Sequence, residues 1–198
     1  MTDILEPRTK SRQALAAEAK LALERRNLVF VGLMGAGKSA IGRLAAQAMN
    51  IPFVDSDHEI ERVSRMSIAE LFAAYGEAEF RQLETRVIKR LLRSGPRVVS
   101  TGGGAFINES TRRHIKKAGI TVWMKADIDV LWERVSKRDN RPLLKTENPK
   151  KTLADLMDVR YPIYAEADLC VTSRDVPKDV MVDEVLAAIA ASPQTSGE

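Results

Sequence analysis

The chain has 198 residues, 44% of them hydrophobic and 29% charged, a composition that excludes a collagenous, fibrous or wholly disordered chain. Its longest charge-free apolar stretch, Asn27 to Gly37, falls far short of the ~20 residues a spanning helix needs, so no membrane partner is expected. The net charge of +4 is spread among acidic residues without a long basic run or interleaved aromatics, which argues against nucleic acid and for small anionic substrates. A single cysteine, Cys170, cannot close an internal disulfide. The N-terminal residues lack the apolar run of a secretory signal, so a reducing, cytoplasmic setting is expected.

In chain order, residues 1–26 read as an appendage: a polar start, then a helix over Lys10 to Arg26 rich in Ala, Leu, Glu, Lys and Arg. It carries no chemical motif and is expected to be a solvated or packing helix. From Asn27 on, short apolar runs alternate with amphipathic stretches, the pattern of βαβ units and a parallel sheet. Strands are predicted at Leu28–Val31, Phe53–Val54, Arg97–Ser100, Thr121–Met124 and Leu169–Val171. The intervening helices are predicted at Lys38–Met49, Asp57–Arg65, Ile68–Arg93 with a break at Tyr75-Gly76, Glu109–Lys117, Ile128–Arg138, Lys151–Glu166 and Lys178–Ala191. Residues 139–150, polar and holding Pro142 and Pro149, are expected to form a mobile lid, and residues 192–198 a disordered tail.

The strongest motif is Gly32-Leu33-Met34-Gly35-Ala36-Gly37-Lys38-Ser39, which fits G-x-x-x-x-G-K-[ST] between a strand and a helix. Glycines let backbone N–H groups curl around phosphate oxygens, and the helix N-terminus adds a favourable dipole. Lys38 is placed to reach the β and γ phosphates, and the Ser39 hydroxyl to ligate Mg²⁺. A rival reading takes Gly35, Gly37 and Ala40 as a dinucleotide fingerprint with Asp55 as the ribose acid. It leaves Lys38 and Ser39 without a role.

Asp55-Ser56-Asp57 follows a strand, at the end where ligands bind in open α/β sheets. Asp55 suits a Mg²⁺-bound water and Asp57 a substrate hydroxyl, although Asp57 could equally cap the following helix. Thr101 runs from a strand into Gly102-Gly103-Gly104, a costly run in chain entropy that suits close approach to a ligand. Ser100 and Thr101 are expected to bond Mg²⁺-bound water or phosphate. Glu84, three residues after Arg81, can orient that guanidinium. Arg160 lies in Arg160-Tyr161-Pro162-Ile163-Tyr164, and Arg141, in the predicted lid, suits stabilisation of phosphoryl charge. His58 and His114 lack metal-spaced partners and are expected to be ordinary helix residues, while Cys170 is expected to be buried packing.

Taken in order, GLMGAGKS, DSD, GEAEFRQLE, STGGG, RPLL and RYPIYAEAD over residues 27–191 resemble the shikimate kinase family. The resemblance implies a P-loop kinase fold, a five-stranded parallel sheet in the order 2-3-1-4-5 flanked by helices, with a lid. It also implies ATP- and Mg²⁺-dependent phosphorylation of the 3-hydroxyl of shikimate, on the route to chorismate and the aromatic amino acids, with shikimate and ATP as partners of a monomer. Carried over by motif, Gly35, Ala36, Gly37, Lys38, Ser39 and Ala40 hold the nucleotide phosphates and Ser39 and Asp55 serve Mg²⁺. Asp57 is the candidate base, Arg81 and Arg160 clamp the carboxylate, Gly103 and Gly104 line the ring, and Arg141 acts from the lid. Arg134 and Arg174 match positions flanking adenine. Ala40 stands where the family often has Thr, and residues 1–26 have no counterpart in a minimal member. Two alternatives remain open at this stage: a gluconate kinase of the same fold, and a non-catalytic nucleotide binder.

Overall fold

The computed structural model describes residues 11–137, 144 and 146–192. Five parallel strands, β1 (Asn27–Val31), β2 (Phe53–Asp55), β3 (Val98–Ser100), β4 (Gly119–Lys125) and β5 (Leu169–Thr172), form one sheet in the order β2-β3-β1-β4-β5. Among the described residues, eight helices connect and flank them: α1 (Arg12–Leu23), α2 (Lys38–Met49), α3 (Ser56–Ser64), α4 (Ile68–Leu92), α5 (Glu109–Ala118), α6 (Ile128–Val135), α7 (Pro149–Tyr164) and α8 (Lys178–Ala190). The strand order is the one the family resemblance implies.

The central strand explains itself. All five residues of β1 are buried, as expected of a parallel strand covered on both faces, and it pairs with β3 through Leu28–Val98 and with β4 through Val29–Thr121. The chain moves from β1 to β2 in one direction across the sheet and from β2 through β5 in the other. Right-handed crossovers therefore put α2 on one face and α4, α5, α6 and α7 on the opposite one. The reversal sets the crevice for ligands at the C-terminal end of β1.

On its face α2 buries Ile41, Gly42, Ala45, Ala46 and Met49, one stripe at helical spacing. Beside it lie α8 and α1, and here the appendage reading gains content: Ala16, Ala19, Ala22 and Leu23 of α1 belong to the main core. Arg12 of α1 grips Asp179 and Asp183 of α8 at 2.7 and 2.6 Å. A second, smaller core of Ile60, Leu71, Phe80, Val87 and Leu91 lies under α3 and α4.

Three details depart from the sequence reading. Helix α7 begins at Pro149, capped by Asn148, so the last two residues of the predicted lid are helical; proline suits the first helical position, where no N–H is needed. Cys170 is exposed rather than buried, because β5 is an edge strand covered less completely than β1 or β4. Thr101 is taken up by packing at the strand end, as described below. The predicted break in the long helix is real: Gly76 adopts φ 75°, ψ 176° and divides α4. Residues 1–10, residues 138–143 and 145, which include Arg141 of the predicted lid, and residues 193–198 lie outside the described residues.

Candidate active site

The P-loop closes the crevice from the β1 side. Gly35 and Gly37 take φ of 82° and 94°, conformations that side chains with a Cβ avoid. Gly37 caps α2 without a side-chain bond, which leaves the first N–H groups of the helix aimed at the loop. The Lys38 ammonium donates to the carbonyls of Gly32 and Leu33 at 2.8 and 2.9 Å. Ala36 is buried at the base of the loop, whereas Ser39 and Ala40 are exposed on the first turn of α2.

From the far side, Arg134 of α6 braces this loop. Its Nη1 donates to the Gly35 carbonyl at 3.2 Å and to Ser173 Oγ at 2.8 Å, and its Nη2 to the Arg174 carbonyl at 2.8 Å. The Arg174 side chain itself turns to Glu184 of α8. Ser173, buried after β5, was not singled out from the sequence; a small polar residue beside Arg174 is too ordinary a signal.

At the carboxyl ends of β1, β2 and β3 three oxygen side chains meet. Ser39 Oγ donates to Asp55 Oδ2 at 2.7 Å and lies 3.0 Å from Ser100 Oγ. Thr101 is not part of this group. Its hydroxyl donates to the Phe30 carbonyl at 2.9 Å and is buried there, because successive strand residues point to opposite faces.

Asp55 also accepts the Asp57 N–H and caps α3, so the capping role considered for Asp57 belongs to its neighbour. The Asp57 carboxylate lies against the three-glycine turn: a Cβ on Gly102 would stand 2.6 Å from Asp57 Oδ1. On the next glycines, a Cβ on Gly104 would stand 2.6 Å from the Arg81 guanidinium carbon, and one on Gly103 would stand 3.5 Å from Arg160 Nη1. A side chain on Gly102 or Gly104 would thus collide with Asp57 or Arg81, whereas one on Gly103 would meet Arg160 only at ordinary contact distance.

These residues surround a cleft of about 190 Å³ lined by Glu77, Arg81, Gly104, Ile107, Asn108 and Arg160. Glu84, 1% exposed, takes Arg81 Nη1 at 2.8 Å. Burial pushes the Glu84 carboxyl above the usual range and nearby Asp57 adds to this, against the pull of Arg81 and Arg160. Tyr164, fully buried, donates its hydroxyl to the Gly103 carbonyl, close to the Arg160 guanidinium. The sequence drew attention to Arg160 within this motif but assigned Tyr164 no role, because the carbonyl it meets lies 61 positions away.

The family model for shikimate kinase matches residues 34–190. The shikimate kinase of Rhizobium meliloti (strain 1021) is 72% identical over 190 residues, covering 96% of this chain and 97% of that protein. That of Rhizobium leguminosarum bv. trifolii (strain WSM2304) is 69% identical over 191 residues, covering 96% and 97%. Among solved structures, the shikimate kinase from Acinetobacter baumannii in complex with shikimate superimposes with a TM-score of 0.80 at 36% identity, covering 85% of this chain and 94% of that one. Likeness this extensive leaves one family: the chain belongs to the shikimate kinases.

Proposed function

We infer that the chain transfers the γ-phosphoryl group of ATP to the 3-hydroxyl of shikimate, giving shikimate 3-phosphate and ADP in aromatic amino acid biosynthesis. The observation that carries this reading is the convergence of Arg81, Arg160 and Asp57 on the three-glycine turn beside the P-loop. Two guanidiniums suit bidentate pairing with a small carboxylate, and Asp57 supplies an acceptor for a hydroxyl proton.

In this reading the acceptor oxygen forms a bond to the γ phosphorus as the bond to the β-phosphate oxygen breaks, and the hydroxyl proton passes to Asp57. Lys38 and the N–H groups of residues 35–40 hold the phosphates, Gly103 and Gly104 border the ring, and Arg141 acts from the lid. Arg134 and Arg174 border the nucleotide. Mg²⁺, when bound, neutralises phosphate charge; the hydroxyls of Ser39 and Ser100 with the Asp55 carboxylate are a hard oxygen set that fits it. No described helix is long and apolar enough to cross a membrane, in keeping with an enzyme of the cytoplasm.

The test is a coupled ADP-release assay with ATP and Mg²⁺ on shikimate, gluconate and no acceptor. Strong release with shikimate alone supports the reading. Release only with gluconate overturns the acceptor assignment, and silence on both overturns the activity.

A further inference from the structure

The acceptor cleft holds a carboxylate that the reaction does not call for. Gly76 interrupts α4 with φ 75° and ψ 176°, so the second half of that helix starts at Glu77, one turn before Arg81. From there Glu77 Oε1 accepts from Arg81 Nε at 3.3 Å and Nη2 at 3.2 Å. Those two donors form the side edge of the guanidinium, the pair that a planar carboxylate engages in bidentate fashion. Glu84 takes the remaining nitrogen, Nη1, at 2.8 Å.

The two glutamates are unlike. Glu84 is 1% exposed and fixed in place, whereas the Glu77 side chain is 68% exposed and borders the cleft. An exposed ion pair contributes little and is weak enough for an incoming carboxylate to replace. The charges around the site point the same way. Arg81 and Arg160 line the cleft with Glu77, and the buried Glu84 carboxylate lies close to both guanidiniums, so an anionic acceptor enters a site whose arginines already have carboxylate neighbours. Gly76 also has an evident purpose here: no atom lies within 4 Å of where its Cβ would stand, so glycine is required by the backbone conformation that aims Glu77 at Arg81, and not by space.

We propose that Glu77 is a competing carboxylate, seated on Arg81 in the place of the acceptor's own, which sets the affinity and selectivity of the cleft. It keeps the guanidinium oriented and screens out weak anions, because only an acceptor whose hydroxyls also engage the site gains enough to displace it. This rests on the reading of the cleft as the shikimate site.

The experiment compares wild type with Glu77→Gln, which removes the charge and keeps the size of an exposed side chain. Steady-state kinetics with shikimate and calorimetric titration with shikimate and with its methyl ester are measured in parallel. The expected result is a KM and a Kd for shikimate about two- to five-fold lower in the variant, the size of an exposed pair, with the KM for ATP unmoved. That gain shrinks as salt rises from about 0.05 M to about 0.5 M, since screening weakens the repulsion removed. The methyl ester, lacking the charge, shows no gain. A structural defect does not tighten substrate binding, so the direction alone separates the two roles. Wild-type turnover of shikimate with an unchanged or raised KM in Glu77→Gln overturns the inference and leaves the proposed function standing. Failure of both proteins to bind shikimate overturns the proposed function and this inference with it.

Discussion

Asp55 Oδ1 accepts the backbone N–H of Asp57 at 3.0 Å, so the first carboxylate of the DSD triplet caps α3 and the second is spared for the cleft. The two aspartates should therefore fail differently. Asp57→Asn should lose turnover by about a hundred-fold or more, the range for a removed general base. Its melting temperature and nucleotide affinity should stay close to wild type. Asp55→Ala should in addition lose ~0.5–2 kcal/mol of stability with the cap, while Asp55→Asn, a good cap, should not. Single-turnover kinetics with thermal melts separate these outcomes; near-normal turnover in Asp57→Asn removes that residue from the chemistry.

In the proposed reading Arg81 holds the acceptor, and in the structure it pairs with Glu84 and Glu77. Removing it in Arg81→Ala should weaken shikimate binding and also strand a carboxylate that is 1% exposed, at a cost of about 3–5 kcal/mol. Glu84 already binds its proton more tightly in the folded protein than its ordinary value of 4.5 allows. A raised carboxyl favours folding at low pH, and that advantage is lost as pH rises through the folded value. Without Arg81 the folded value moves higher still, so the variant should be least handicapped in acid. Arg81→Ala with Glu84→Gln should recover much of the stability and none of the shikimate affinity. A double variant no more stable than Arg81→Ala would show that the stranded charge is not the cause.

The helix α1 sharpens the expectation for the N-terminal residues, which the sequence presents as an appendage with a solvated or packing helix. Ala19 and Leu23 are 0% and 1% exposed, and Lys20 reaches the Asn50 carbonyl at the end of α2 at 3.3 Å. Removing residues 1–26 should therefore uncover α2 and α8 and lower the melting temperature. Leu23→Ala should cost ~2–5 kcal/mol, and Arg12→Ala, which breaks only exposed ion pairs, far less. Chemistry should persist below the lowered transition, as measured by activity against temperature. An unchanged melting point after truncation would mean that the buried face contributes nothing.

Much of this architecture is legible because its signals are local. An apolar run, a G-x-x-x-x-G-K-S loop and a glycine break at Tyr75-Gly76 each declare themselves within a dozen residues, and the strand order followed from the family resemblance. What stayed hidden depends on distant partners. Thr101 reads like Ser100 until β1 brings the Phe30 carbonyl, 71 positions away, to its hydroxyl. Cys170 reads as packing until the sheet order makes β5 an edge. Glu77 is within local reach of Arg81, yet nothing in the sequence shows that the kink leaves the side edge of the guanidinium to it.

Tyr164 offers a prediction in pH. Its phenol is pushed up from 10.0 to about 12, chiefly by burial, against the opposing pull of Arg160. The folded state therefore keeps a proton that the unfolded chain gives up. That contribution is fully present below pH 10.0 and is lost as pH rises toward 12. Its slope is at most about 1.4 kcal/mol per pH unit. Tyr161 is raised as well, so the test lies in the difference between wild type and Tyr164→Phe. The variant should lose ~1–3 kcal/mol at neutral pH, because the Gly103 carbonyl keeps its burial without its donor. Its stability should then fall less steeply than wild type between pH 10.0 and 12. Because the same hydroxyl anchors the glycine turn beside Arg160, the KM for shikimate should rise while the KM for ATP does not. Denaturant unfolding at stepped alkaline pH reads the first effect and steady-state kinetics the second. Parallel stability curves for the two proteins would show that Tyr164 does not ionise in this window, and an unmoved shikimate KM that it does not position Arg160.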